Sequence, residues 1–132
     1  MLDIFAGSLM STPVESVTPD ASLQAVAQRM IEADIGSVVV VDDTGNLEGI
    51  LTGTDFVELA ADGVSPAETT VSDAMTTDVV TASATDSIED VAATITSHGF
   101  RHLPIVDGRA VVGIITTADL ADYLSKLEPS VR

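Results

Sequence analysis

The 132-residue chain contains no cysteine and no tryptophan, one tyrosine and three phenylalanines. Without cysteine there can be no disulfide, no thiol nucleophile and no cysteine-ligated zinc. With so few aromatic rings, Val, Ile, Leu and Ala must fill the interior. Hydrophobic residues make up 45% of the chain and the mean hydropathy is +0.37, enough for a packed core rather than wholesale disorder. No apolar run approaches the length of a membrane-spanning helix. The first residues carry Asp3 and no basic segment, so no secretory signal is expected and the expected location is cytoplasmic.

Positive charge is also scarce. Five Lys and Arg stand against 21 Asp and Glu, a formal charge of −16, and Lys126 is the sole lysine. Such a surface repels phosphate backbones and anionic bilayers, so neither nucleic acid nor membrane is an expected partner. Acidic excess with little lysine resembles the cytosolic proteins of salt-accumulating halophiles. The alternative is an ordinary acidic domain kept soluble by its charge. Self-repulsion of this size favours the halophilic reading, because salt must screen it.

What the chain does contain is a repeat. A shift of 65 residues lays Met10-Ser-Thr-Pro-Val14 on Met75-Thr-Thr-Asp-Val79, Ser22-Leu23 on Ser87-Ile88, and Val26-Ala27 on Val91-Ala92. After the loss of one turn residue, Gly49-Ile-Leu-Thr52-x-x-Asp55 falls on Gly113-Ile-Ile-Thr116-x-x-Asp119. The copies span 10–62 and 75–127, joined by a linker at 63–74 that begins Gly-Val-Ser-Pro.

Each copy reads β-α-β-β-α. Short apolar segments at 14–17 and 79–82 predict brief strands. Helix-start residues follow, with Asp86 and Glu89 spaced as a capping pair. Leu23, Val26, Ala27, Met30 and Ile31 keep helical spacing, as do Ile88, Val91, Ala92 and Ile95. Two β-branched runs around an Asp/Gly-containing turn predict a hairpin, and a second helix closes the copy. Neither copy can bury its apolar faces well alone, so one intertwined domain is expected.

This order, with Gly-Ile-Leu-Thr-x-x-Asp and Gly-Ile-Ile-Thr-x-x-Asp closing the copies, resembles the cystathionine-β-synthase (CBS) domain. The Met10 and Met75 lead-ins and Gly99-Phe-Arg-His-Leu-Pro-Ile-Val106 add to the match, and two copies in tandem look like a Bateman module. The resemblance implies an α/β (α+β) fold, two β-α-β-β-α motifs packed with approximate two-fold symmetry. It also implies regulation by a bound adenosine compound: AMP, ADP, ATP or S-adenosylmethionine, held in clefts between the motifs.

Thr52 and Asp55, like Thr116 and Asp119, stand where a strand runs into a helix. A helix start offers free N–H groups and the positive dipole end to an anion. The hydroxyl can bond a phosphate, and the carboxylate can accept from ribose hydroxyls. Equally, these residue types cap helices without any ligand. The same spacing in both copies, together with the resemblance, favours the ribose role. Arg101 and His102, at a strand entrance, suit phosphate oxygens, the alternative being a solvated turn amid many acids. The resemblance sets Arg101 and His102 opposite Thr52 and Asp55, and Gly36 and Ser37 opposite Thr116 and Asp119. The first pairing should then favour phosphates, and the second a less charged adenosine compound or nothing. Val14 and Ser16, with Val79 and Thr81, match family segments that touch the base, although strand packing accounts for them equally well.

His98 and His102 lie four apart, but Gly99 interrupts and no carboxylate completes a metal set, so no metal is expected. No nucleophile-elbow or other catalytic signature is present, and no enzyme activity is expected. The expectation is a stand-alone sensor that binds an adenosine-containing ligand, regulates a separate effector protein and forms a homodimer. Met30 is expected in the core, and the apolar stripes through Val26, Met30, Phe56, Leu59, Tyr123 and Leu127 exceed what one small sheet per copy can cover, which favours a dimer that meets through its helices. The alternative is a ligand-free dimeric scaffold.

Overall fold

In the computed structural model, which describes residues 4–126, the two long helices of the repeats begin on serine caps. Helix α2 (Leu23–Ala33) starts at Ser22, whose side chain accepts from the Ala25 N–H at 3.1 Å. Helix α5 (Ile88–His98) starts at Ser87, which accepts from the Asp90 N–H at 3.1 Å. The Asp86–Glu89 capping pair does not form. Asp86 instead accepts from the Ser83 N–H at 2.9 Å in the preceding turn, because the helix begins one residue later than that pair requires. Left-handed residues end both helices, Asp34 at φ 55 and Gly99 at φ 69.

The chain divides into two compact units. The first joins Val14–Val79 to Arg109–Val111. Its sheet has the order β1 (Ser16–Val17), β2 (Ser37–Val41), β3 (Leu47–Thr52). β1 is parallel to β2, with Ser16 opposite Val39, as a helical crossover through α2 demands. β2 and β3 form the expected hairpin, with Ser37 opposite Thr52. Leu23, Val26 and Met30 project from α2 onto Val38, Val40 and Leu51 of this sheet. Ile31, expected on the same stripe, is 80% exposed, since one residue beyond Met30 turns the helix by about 100°. Helix α3 (Gly53–Ala61) closes the copy and rests Phe56 and Leu59 on the core.

The second unit joins the segment up to Pro13 to Val80–Gly108 and the segment from Val112. Its sheet order is β4 (Ala82–Ser83), β5 (His102–Asp107), β6 (Ala110–Thr116). The strand expected at 79–82 forms at Ala82–Ser83, where Ala82 lies opposite Ile105. Ile88, Val91 and Ile95 pack onto Leu103, Ile105 and Ile115. Helix α6 (Thr117–Ser125) lays Leu120 and Tyr123 on that core.

Two short helices reapportion the repeat. Helix α1 (Ala6–Leu9), ahead of the first copy, docks on the unit built from the second, where Ala6 is fully buried. A 3-10 turn (Pro66–Glu68) and helix α4 (Val71–Ala74) occupy the stretch between copies, and Val71 is buried in the first unit. The docking explains two glycines. A Cβ on Gly49 would stand 2.7 Å from Met75 Sδ and from the Thr76 carbonyl, and one on Gly113 would collide with Met10. Both glycines are therefore held by a close methionine approach.

The expectation that the apolar stripes exceed what each sheet can cover is corrected in part. Val26 and Met30 belong to the first core, and Phe56, Leu59 and Tyr123 pack against the cores of their own units. Leu127 lies outside the described residues. The outward apolar side chains of the closing helices are Val57, 69% exposed, and Leu124, 62% exposed.

Candidate functional site

Thr52 ends β3 in extended conformation and is the N-cap of α3, so its side chain faces the first turn of the helix. Its N–H donates to Asp55 Oδ2 at 2.8 Å, its hydroxyl lies 3.2 Å from the same oxygen, and the Asp55 N–H donates to Thr52 Oγ1 at 3.4 Å. Thr116 and Asp119 repeat this box at 2.8, 3.1 and 3.2 Å. Both pairs therefore do cap helices. The cap engages Oδ2 of each aspartate and, among the described residues, leaves Oδ1 without a hydrogen bond. A carboxylate oxygen fixed at a helix start in this way can accept from a diol.

A strand entrance is tied to each box. The Gly53 N–H donates to the Gly36 carbonyl at 3.0 Å, which sets Gly36 and Ser37 beside Thr52 and Asp55. The Thr117 N–H donates to the Arg101 carbonyl at 3.0 Å and sets Arg101 and His102 beside Thr116 and Asp119. The two sets differ in charge. Gly36 is exposed and Ser37 buried, so the first offers no cation.

In the second set Arg101 is exposed and His102 half-buried, with its Nδ1 screened from solvent and unbonded among the described residues. Burial holds the His102 pKa below its ordinary value; the Arg101 charge lowers it further, and Asp119 opposes both. The imidazole is therefore neutral at pH 7, ready to offer a hydrogen bond or to take a proton if an anion arrives.

Of the residues matched to the base-contacting segments, Val14 and Ser16 are half-buried in the first unit, with Ser16 in β1. Val79 closes the first unit's segment, and Thr81 lies in the second unit; both are half-buried. Glu15 beside them is held by Arg29, whose Nε and Nη2 reach Oε2 at 2.9 and 2.6 Å. Among the described residues no group of three metal-ligating side chains converges, and no helix is long and apolar enough to cross a membrane.

Sequence reasoning missed the Met10–Gly113 and Met75–Gly49 contacts, which brace the strands leading into Thr116 and Thr52. Their signal was available: a methionine and a glycine recur in both copies at nearly the same offset.

The family model for the CBS domain matches residues 6–62 and 71–126. The chain belongs to the CBS domain family. In each copy the CBS match begins four residues before the repeat read from the sequence, and so takes in α1 and α4. The chain is 35% identical over 112 residues to the CBS domain-containing protein YhcV of Bacillus subtilis, covering 85% of this chain and 79% of that protein. It is 33% identical over 121 residues to Hypoxic response protein 1 of Mycobacterium tuberculosis, covering 90% and 84%. Among solved structures it is similar to a CBS domain pair in complex with 5′-methylthioadenosine and S-adenosyl-L-methionine. The TM-score is 0.87 at 26% identity, over 94% of this chain and 98% of that one. The mixed α/β architecture of two CBS motifs is thereby established.

Proposed function

We propose that this CBS pair is a regulatory module that binds an adenosine-containing ligand, AMP, ADP, ATP or S-adenosylmethionine, and modulates a separate effector protein. The reading rests chiefly on the box found twice, in which the cap holds one carboxylate oxygen and leaves the other without a partner among the described residues. A cap alone needs only one acceptor, and the spare oxygen suits a ribose diol. The adenosine compounds bound by the similar CBS pair support the same ligand class.

The sets should not bind alike. Arg101 brings the charge that a phosphate requires and His102 a hydrogen-bonding ring, whereas Gly36 and Ser37 suit an uncharged or cationic 5′ group. The family resemblance couples Arg101 to Asp55, while within its own unit Arg101 neighbours Asp119. A double-mutant cycle on ATP affinity, Arg101→Ala with Asp55→Asn and then with Asp119→Asn, identifies the carboxylate that works with it.

The proposal is tested by a thermal-shift screen of AMP, ADP, ATP, S-adenosylmethionine and NADH in molar potassium chloride. A ligand at a hundred times its Kd stabilises the folded state by about 2.7 kcal/mol. No shift with any adenosine compound at millimolar concentration would reject it in favour of a ligand-free dimeric scaffold. That second reading draws on Val57 and Leu124, exposed on the closing helices. The module is also proposed to be a cytoplasmic homodimer that needs salt to screen its charge of −16.

A further inference from the structure

The chain offers an oxidant no thiol, so its only soft sulfur is that of methionine. Three methionines lie among the described residues, and they are not alike. Met30 is 7% exposed within the first core, while Met10 and Met75 are half-buried. The latter two are counterparts at the offset of 65 and are seated in the same way. Met10 is the C-cap of α1 and Met75 the C-cap of α4, and their N–H groups donate to the Ala6 and Val71 carbonyls at 2.9 and 2.8 Å. The residue after each bonds to a strand. Ser11 and Ile114 exchange bonds of 2.8 and 3.3 Å, and Thr76 and Ile50 exchange two of 3.0 Å.

Each thioether lies on a glycine of that strand. A Cβ on Gly49 would stand 2.7 Å from Met75 Sδ and 2.9 Å from its Cγ, and one on Gly113 would collide with the Met10 side chain. The sulfur thus fills the space that a side chain would take at any other residue of the strand. The same point above Gly49 lies 2.7 Å from the Thr76 carbonyl, an acceptor that repels an oxygen placed on the sulfur. Gly49 and Gly113 stand three residues before Thr52 and Thr116, the N-caps of α3 and α6.

We propose that Met10 and Met75 are a matched pair of oxidation sites for a peroxide, and that their sulfoxides unseat the short helices from the strands leading to the two caps. The sulfur lone pair attacks one oxygen of hydrogen peroxide, the O–O bond breaks, and the other oxygen leaves as water. Sulfur is oxidised by two electrons and the peroxide is reduced by two. The product is polar where the thioether was apolar, so the contact on glycine is lost whether the new oxygen faces the strand or turns to water. The two sites should respond unequally. Ile4, Ala6 and Leu9 also hold the first segment on its core, whereas Val71 and Ala74 hold the second. Oxidation of Met75 therefore loosens its strand the more. The inference does not depend on whether either cap binds a ligand.

Hydrogen peroxide applied to the full chain, followed by peptide mapping in a mass spectrometer and amide exchange by NMR, tests it. Met10 and Met75 should each gain an oxygen at least about tenfold faster than Met30, as their exposure dictates. Protection of the Ile50 and Thr76 amides should then fall by about tenfold or more, and that of Ser11 and Ile114 by less. A methionine sulfoxide reductase with its thiol reductant should restore both pairs. Met75→Leu, which nearly keeps the volume and has no sulfur, should leave Ile50 and Thr76 indifferent to peroxide while Ser11 and Ile114 still respond. Oxidation of Met30 as fast as the other two, or an oxidised chain that keeps its protection at Ile50 and Thr76, overturns the proposal.

Discussion

Replacing Asp55 by alanine and by asparagine separates the two roles of its carboxylate. Alanine removes the acceptor of the bonds from the Thr52 N–H at 2.8 Å and the Thr52 hydroxyl at 3.2 Å. Leaving that half-buried N–H without a partner costs about 1–2 kcal/mol. For a chain of this size, that lowers Tm by roughly 3–10 °C. Asparagine keeps an oxygen in the Oδ2 place, so both bonds persist, and only the favourable charge at the helix start is lost, about 0.3–1 kcal/mol. Its Tm should fall by less than about 4 °C.

Binding should separate the variants differently. At the Oδ1 place asparagine presents an NH2 group, which donates and cannot accept from a ribose hydroxyl. Losing hydrogen bonds to a charged acceptor costs about 1.5–3 kcal/mol, roughly a 10- to 150-fold rise in Kd. Melting curves and calorimetric titrations of both variants in molar potassium chloride measure the two quantities. An Asp55→Asn protein that binds as tightly as the wild type while Asp55→Ala melts early would refute the reasoning. The carboxylate would then serve the helix alone.

His102 supplies a pH prediction. Its folded pKa lies below the ordinary 6.5, so the unfolded chain takes the proton first as pH falls. This group's contribution to stability is complete above pH 6.5 and declines as pH drops from there to the folded pKa. An NMR titration should place the ring below 6.5, and Arg101→Ala should move it upward; a ring titrating at or above 6.5 contradicts the assignment. Raising potassium chloride from millimolar to molar should raise Tm, and a flat profile would remove the halophilic reading while leaving the family untouched. Light scattering at molar salt should give twice 13.6 kDa, with Val57→Asp or Leu124→Asp favouring the monomer; a wild-type monomer at high salt and high concentration contradicts the dimer.

The β-α-β-β-α order was legible because each element carries a local signature. The Leu23–Val26–Met30 spacing, the Val38–Val40 run and the Asp42–Asn46 turn each point to one structure. The Thr-x-x-Asp boxes were legible for the same reason, their partners being three residues apart. Ile31 was misplaced because a one-residue step past the buried stripe is hard to see in an apolar helix. The docking of α1 and α4 was not legible, since a four-residue helix has no periodicity of its own and its partners are distant in sequence. The same distance hid the Met10–Gly113 contact, and the screening of His102 Nδ1 arises only once β5 is packed.

The central claim, that these CBS motifs bind adenosine compounds through Asp55 and Asp119, is tested most directly by one calorimetric comparison. ATP and S-adenosylmethionine are titrated in molar potassium chloride into the wild type and into the Asp55→Asn/Asp119→Asn double variant. The account predicts saturable binding of at least one of them by the wild type. In a double variant that still melts cooperatively, it predicts affinity weaker by about tenfold or more. Equal binding by the folded double variant, or no binding of either compound by the wild type, would contradict it.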